Sequence, residues 1–325
     1  MKRLGCCRFC NLLSLVLVVF IFFDGCSSGI KTHSIMKEGE STLAVSGGNI
    51  WYKVSGSGKG QPLVLIHGGP GFSSLYLKAF EELGDERQVV RYDQLGSGLS
   101  DKVSDTALFT IERFVDELEL LREHLGVEKW HLLGHSWGTV VALEYYRAYP
   151  EHVASLILGS MCIDADGWKK STRKLLKTLP DSLQEAVLTA ESTQDYADPK
   201  YQEAMNVFYD LYVWRKPVKE DLDSMYATFN VDLYNYMWGP SEFTATGTLK
   251  DYNGVSLLPQ ITVPVMFTVG EFDEIYPEMV KELSQKVPDS RYVMFEGAAH
   301  MTPWDAREES LRVVREFLQS VDTSR

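Results

Sequence analysis

The stretch Trp130-His131-Leu132-Leu133-Gly134-His135-Ser136-Trp137-Gly138-Thr139 limits the possible folds more than any other. An apolar run suited to a buried strand enters Gly-x-Ser-x-Gly and continues directly into a helical pattern. A strand-to-helix turn this tight needs small residues two before and two after its apex, where a Cβ would meet neighbouring backbone; Gly134 and Gly138 supply them. The hydroxyl of Ser136 is thereby pushed out of a sheet and is expected to act as a nucleophile. The helix that opens after it aims free N–H groups and a positive dipole end at any oxyanion formed there.

Two other strand-like runs end in similarly exposed loops. Pro62-Leu63-Val64-Leu65-Ile66 is apolar without alternation, the pattern of a strand covered on both faces, and it runs into His67-Gly68-Gly69-Pro70-Gly71. Such a turn lets backbone approach a ligand closely, and it places Gly69 opposite Trp137 as the second N–H of an oxyanion hole. A phosphate loop would require Gly-Lys-Ser/Thr, which is absent. Val89-Val90-Arg91-Tyr92 leads into Asp93-Gln94-Leu95-Gly96-Ser97-Gly98-Leu99-Ser100, where Asp93 is expected to accept backbone N–H bonds and hold the loop's shape. Leu43–Val45 and Ile50–Val54 read as a hairpin, Gly56–Gly60 as a loop, and Phe109–Leu125 as a helix ending at Gly126.

Late in the chain, Val265–Gly270 reads as a strand followed by Glu271-Phe272-Asp273-Glu274. A Ser, acid, His order puts the acid on such a loop, with Glu271, Asp273 and Glu274 as rivals. Arg291–Phe295 is the last strand and delivers His300 on a small-residue loop, in reach of Ser136 as general base. The other histidines fit this role less well by position. His/Cys/Asp/Glu spacing gives no metal site, and no cofactor is expected.

The motifs His67–Gly71, Asp93–Ser100 and Gly134–Thr139 together resemble the proline iminopeptidase (prolyl aminopeptidase) family of α/β-hydrolases. The Pro after the double glycine and the Asp-Gln pair are its specific elements, and the likeness covers nearly everything after residue 40 or so. It implies an α/β-hydrolase fold, a mostly parallel sheet with helices on both faces and an inserted helical cap. It also selects Asp273 from Gly-Glu-x-Asp-Glu as the acid of the triad. The implied chemistry is that of a serine exopeptidase releasing an N-terminal residue, proline by resemblance, through an acyl-enzyme. Amino-acid amidase and carboxylesterase activities share the machinery, and a complete Ser/Asp/His set argues against a binding protein without catalysis.

From Trp168 to Tyr236 the spacing is helical and rich in aromatics, with breaks at Pro180, Pro199 and Pro217. Helices here are expected to cover the serine and shape specificity. Within Gly239-Pro240-Ser241-Glu242-Phe243 the resemblance assigns Glu242 to the substrate's free α-amino group. Glu203 is a second candidate, and family members carry a second glutamate at about Asn206. The expected partners are small peptides or amino-acid amides with a free N-terminus.

A formal charge of −13 excludes nucleic acid as a partner on electrostatic grounds. Lys2, Arg3 and Arg8 precede the apolar run Leu12–Phe23, which reads as a signal segment, and Gly25-Cys26-Ser27-Ser28 matches part of a lipoprotein cleavage box. Membrane contact is expected through this segment alone, with the body exported as a lipoprotein or periplasmic protein, or held by an N-terminal membrane anchor. The expected organisation is therefore residues 1–28 as the targeting segment, 29–40 as a tether, 41–165 as the first part of the core, 166–250 as the cap and 251–325 as the second part of the core. Oligomeric state is not legible.

Overall fold

A computed structural model describes residues 35–323; the expected targeting segment, Cys26 and His33 lie outside these residues. Near the start of the described part, the expected tether already belongs to the folded body. The backbone of Met36 pairs in both directions with the Gln88 amide, at 2.7 and 2.8 Å, and its side chain is buried.

One seven-stranded sheet organises the chain. Strands β1 (Gly39–Val45) and β2 (Gly48–Ile66) form the antiparallel hairpin. Strand β3 (Arg87–Asp93) lies opposite Trp51–Ser55 in descending order and opposite Leu63–Leu65 in ascending order. The extended β2 segment therefore reverses around Gly56–Gly60, the expected loop, and its two halves flank β3. Beyond it, β4 (Trp130–His135), β5 (Val153–Gly159), β6 (Val265–Gly270) and β7 (Arg291–Phe295) add in parallel. Parallel pairing puts the carboxyl ends of these strands, of β3 and of the second half of β2 along one edge, where all the singled-out loops emerge.

The unbroken apolar runs follow from burial on both faces. Val64, Ile66, Leu132, Leu156, Leu158 and Phe267 pack toward helices α1 (Ile111–Leu125) and α2 (Trp137–Ala148). Their neighbours Leu63, Leu65, Leu133, Ile157 and Met266 point the other way, with Tyr76, Phe80 and the closing-helix residues Leu311, Val314 and Phe317. Helix α1 is capped by the Thr110 hydroxyl, which accepts from Arg113 N–H, and stops at Gly126 in the left-handed region (φ 67°).

Between β5 and β6 come five helices, α3 (Ala165–Leu176), α4 (Asp181–Thr193), α5 (Pro199–Tyr212), α6 (Lys219–Thr228) and α7 (Val231–Met237). Their prolines mark starts. Pro180 immediately precedes α4, Pro199 opens α5 beneath an Asp198 cap, and Pro217 sits just ahead of α6. Leu183, Val187, Tyr201, Phe208 and Phe243 bury together with the second face of the sheet. Helices α8 (Pro277–Ser284), α9 (Thr302–Asp305) and α10 (Arg307–Thr323) complete the body. No helix among the described residues is long and apolar enough to cross a membrane.

Candidate active site

Ser136 sits between β4 and α2 with φ 54° and ψ −125°, a conformation costly for a non-glycine residue. The neighbouring glycines make it possible. A Cβ on Gly134 would lie 2.4 Å from the Gly138 carbonyl oxygen, and one on Gly138 would lie 2.1 Å from that of Ile66. The turn is pinned by Ser136 N–H donating to the Gly159 carbonyl at 2.9 Å, and by the Thr139 N–H and hydroxyl donating to the Ser136 carbonyl.

His300 follows β7 and its Nδ1 lies 2.9 Å from Asp273 Oδ1. Asp273 is 1% exposed, and its carboxylate also accepts from the N–H groups of Ile275 (3.2 Å) and Gly270 (3.3 Å). With Nδ1–H donating to Asp273, Nε2 is left as the basic nitrogen. Glu271 points elsewhere, accepting from Gly297 N–H. Ser136 and His300 line the same cavity of about 270 Å³, and Gly69, with φ 48°, lines it too. A second cavity of about 20 Å³ meets the first at Ser136, bounded by Gly69, Trp137, Val140, Cys162 and Trp238 among others.

The shape of the glycine turn has a visible cause in Gln94. Its side-chain N–H donates to the His67 carbonyl (3.1 Å) and its side-chain oxygen accepts the Trp137 indole N–H (2.8 Å), while its backbone N–H donates to His67 Nε2. One side chain thus ties the turn carrying Gly69 to the residue after the serine. Asp93 accepts from Ser74 and Leu99 N–H groups, as expected of a loop-shaping carboxylate. Burial lowers the pKa of His67, so its ring is neutral and serves this scaffold.

His135 was not expected to contribute, yet its ring sits 4.9 Å from the His300 ring. Its Nε2 donates to the His300 carbonyl at 2.9 Å, and its Nδ1 accepts from the Tyr76 hydroxyl, which accepts from Gly68 N–H. Burial pushes the His135 pKa down to about 3, and the ring is neutral. The Ser160 hydroxyl gives the same carbonyl a second donor. None of these residues carries a chemical motif of its own in sequence, although the Asp-Gln pair hints at the Gln94 clamp.

Of the two glutamates proposed from sequence, Glu242 lines both cavities, and its Oε1 accepts from the Tyr234 hydroxyl at 2.7 Å. Glu203 does not belong to the site. Helical spacing on α5 turns Gln202 and Met205 into the cavity and Glu203 into solvent, where it is exposed and lies 3.8 Å from Lys200. Asn206 is exposed as well, so the residue type at that position does not bear on the cavity. Another acid lies buried beside His300: Glu274, which sequence offered only as a rival to Asp273. It is fully buried, 3.5 Å from His300 Nδ1, with no hydrogen bond to either carboxyl oxygen. Burial raises its pKa well above the usual carboxyl range, reinforced by the charges of Glu242 and Asp273; burial raises that of Glu242 as well.

Residues 61–306 match the family model described as alpha/beta hydrolase fold. The chain is 38% identical over 285 residues to a proline iminopeptidase of Heyndrickxia coagulans, covering 87% of this chain and 99% of that one. It is 36% identical to a proline iminopeptidase of Saccharolobus solfataricus, covering 90% and 96%. The crystal structure of the Mycobacterium smegmatis proline iminopeptidase superposes with a TM-score of 0.79 at 30% identity, over 88% of this chain and 99% of that one. A serine in a strained turn, a histidine–aspartate pair beside it and this similarity along nearly the whole body agree: the chain belongs to the proline iminopeptidase family of α/β hydrolases.

Proposed function

We propose that this serine hydrolase is a prolyl aminopeptidase in which Ser136, His300 and Asp273 form the catalytic triad. His300 Nε2 takes the Ser136 proton as Oγ bonds to the substrate's first carbonyl carbon. The Gly69 and Trp137 N–H groups hold the resulting oxyanion, and Asp273 steadies the imidazolium. As the C–N bond breaks, His300 returns the proton to the leaving amine. Water then hydrolyses the acyl-enzyme by the same steps, releasing the free amino acid and restoring Ser136.

The observation that carries the exopeptidase reading is the pair of buried acids. Glu274 has no donor for either oxygen, and Glu242 reaches the junction of the two cavities beside Ser136. A substrate α-ammonium, which on an N-terminal proline carries two N–H donors, brings a positive charge to Glu242 with Glu274 buried nearby, whereas an internal peptide N–H carries no charge.

A panel of Pro, Ala and Leu chromogenic amides, their N-acetylated forms and a short-chain ester tests this. Free-amine substrates are hydrolysed with proline preferred, and acetylation slows turnover by roughly a hundredfold or more. Rapid cleavage of acetylated amides or amine-free esters would favour the carboxylesterase reading instead, and a Ser136→Ala enzyme with intact turnover would remove the mechanism. The basic start and apolar run Leu12–Phe23 support export, with Cys26 as a lipid-bearing residue. Mass analysis of the mature N-terminus checks that.

A further inference from the structure

The larger cavity carries a feature that neither the triad nor the amine anchor uses. Six rings line it in an unbroken series, Tyr209, Trp214, Tyr226, Phe72, Phe229 and Tyr234. Successive centroids lie 5.3, 6.2, 5.9, 4.8 and 5.4 Å apart, all in edge-to-face contact. The array is not simply packing. Tyr226 is 48% exposed, and Val231 beside the same cavity is 51% exposed, so apolar surface remains open at the mouth.

Position relative to the reacting atoms assigns its occupant. His300, which must face the leaving nitrogen to protonate it, lines the ring-lined cavity and not the small one. The leaving part of the substrate then falls among the six rings. Charge narrows the class further. None of the described residues lining this cavity is Lys or Arg, and its one carboxylate is Glu242. A free carboxylate on the second residue would enter without a cationic side chain to pair with.

We infer that the ring-lined cavity is the binding site for the leaving portion of the substrate, and that it selects a large apolar second residue whose own carboxyl is blocked, as in a longer peptide or an amide. This rests on the aminopeptidase reading above.

The test is kcat/KM of the full-length chain on Pro-Phe-NH2, Pro-Gly-NH2 and Pro-Phe with a free carboxylate. Burying a phenyl ring against the array predicts Pro-Phe-NH2 to exceed Pro-Gly-NH2 by about tenfold to a hundredfold. It also predicts that the free acid falls below its amide. Phe229→Ala and Tyr226→Ala each narrow the Phe-to-Gly ratio, with thermal melting reporting whether either variant is folded. The wild-type ratio stands as a test by itself if they are not. Equal turnover of Pro-Phe-NH2 and Pro-Gly-NH2 overturns the inference while leaving the aminopeptidase standing. Proline release from none of the three, alongside hydrolysis of a simple ester, overturns both.

Discussion

His135 holds His300 by the backbone: its Nε2 donates to the His300 carbonyl at 2.9 Å, while its own Nδ1 accepts from Tyr76, itself bonded to Gly68. The residue preceding Ser136 therefore connects the glycine turn to His300. Burial pushes the ring's pKa down to about 3, so it is neutral near neutral pH and takes no proton during turnover. It is a positioning residue.

His135→Gln should lower kcat by roughly ten- to a hundredfold with a much smaller change in KM, because only the aim of His300 is disturbed. The alkaline and acid limbs of the kcat/KM profile should keep their positions. A shifted acid limb would mean that His135 titrates in the working range and that its assigned role is wrong.

Gln94 offers a separate lever on the oxyanion. Gln94→Ala cuts the tie between the His67 carbonyl and the Trp137 indole. If Gly69 and Trp137 hold the developing charge, kcat should fall by about two orders of magnitude or less, short of deleting a donor outright. Unchanged kcat with raised KM would place this clamp in ground-state binding instead.

The acidic pair predicts a distinctive pH response. Glu242 titrates above the ordinary carboxyl range because burial disfavours its charge. An arriving ammonium favours the ionised form and draws that pKa back down. For free-amine substrates, kcat/KM should therefore rise with pH through the raised value, whereas the corresponding limb of kcat lies at lower pH. Glu242→Gln should reduce kcat/KM on these substrates by roughly a hundredfold and spare amine-free esters. Steady-state profiles on a proline amide and an ester separate the two effects.

Glu117 governs stability rather than chemistry. Buried on α1, it accepts from Leu95 N–H in the Asp93–Ser100 loop and from Arg113 at 3.0 Å, and burial pushes its pKa up to about 7. A carboxyl bound more tightly to its proton when folded stabilises fully below its unfolded pKa, near 4.5, and loses that contribution as pH rises through about 7. The loss is on the order of 3 kcal/mol. Urea unfolding between pH 4.5 and 8 should show this decline, and Glu117→Gln should flatten it. The same slope in the variant would show that the decline has another source.

The sheet, the serine turn and the loops offered for an acid and a base are legible in the chain alone. Each is a local pattern: continuous apolar runs for strands covered on both faces, glycines where Cβ atoms cannot fit, and loops at the ends of those strands. Parallel pairing then carries such loops to one edge, so Ser136 and His300 can be matched despite their separation in the chain, whereas the choice of Asp273 over Glu271 and Glu274 rests on the family resemblance. Which polar groups lose water together depends instead on how distant segments pack. Glu203 and Glu242 are equally acidic in sequence, yet the pitch of α5 leaves one in solvent while a turn after α7 brings the other to the serine. Glu274 reads as one of three interchangeable acids until burial strips both its oxygens of partners. The two cavities that meet at Ser136 exist only where the cap helices meet the sheet edge, because their walls come from segments that share no local signal.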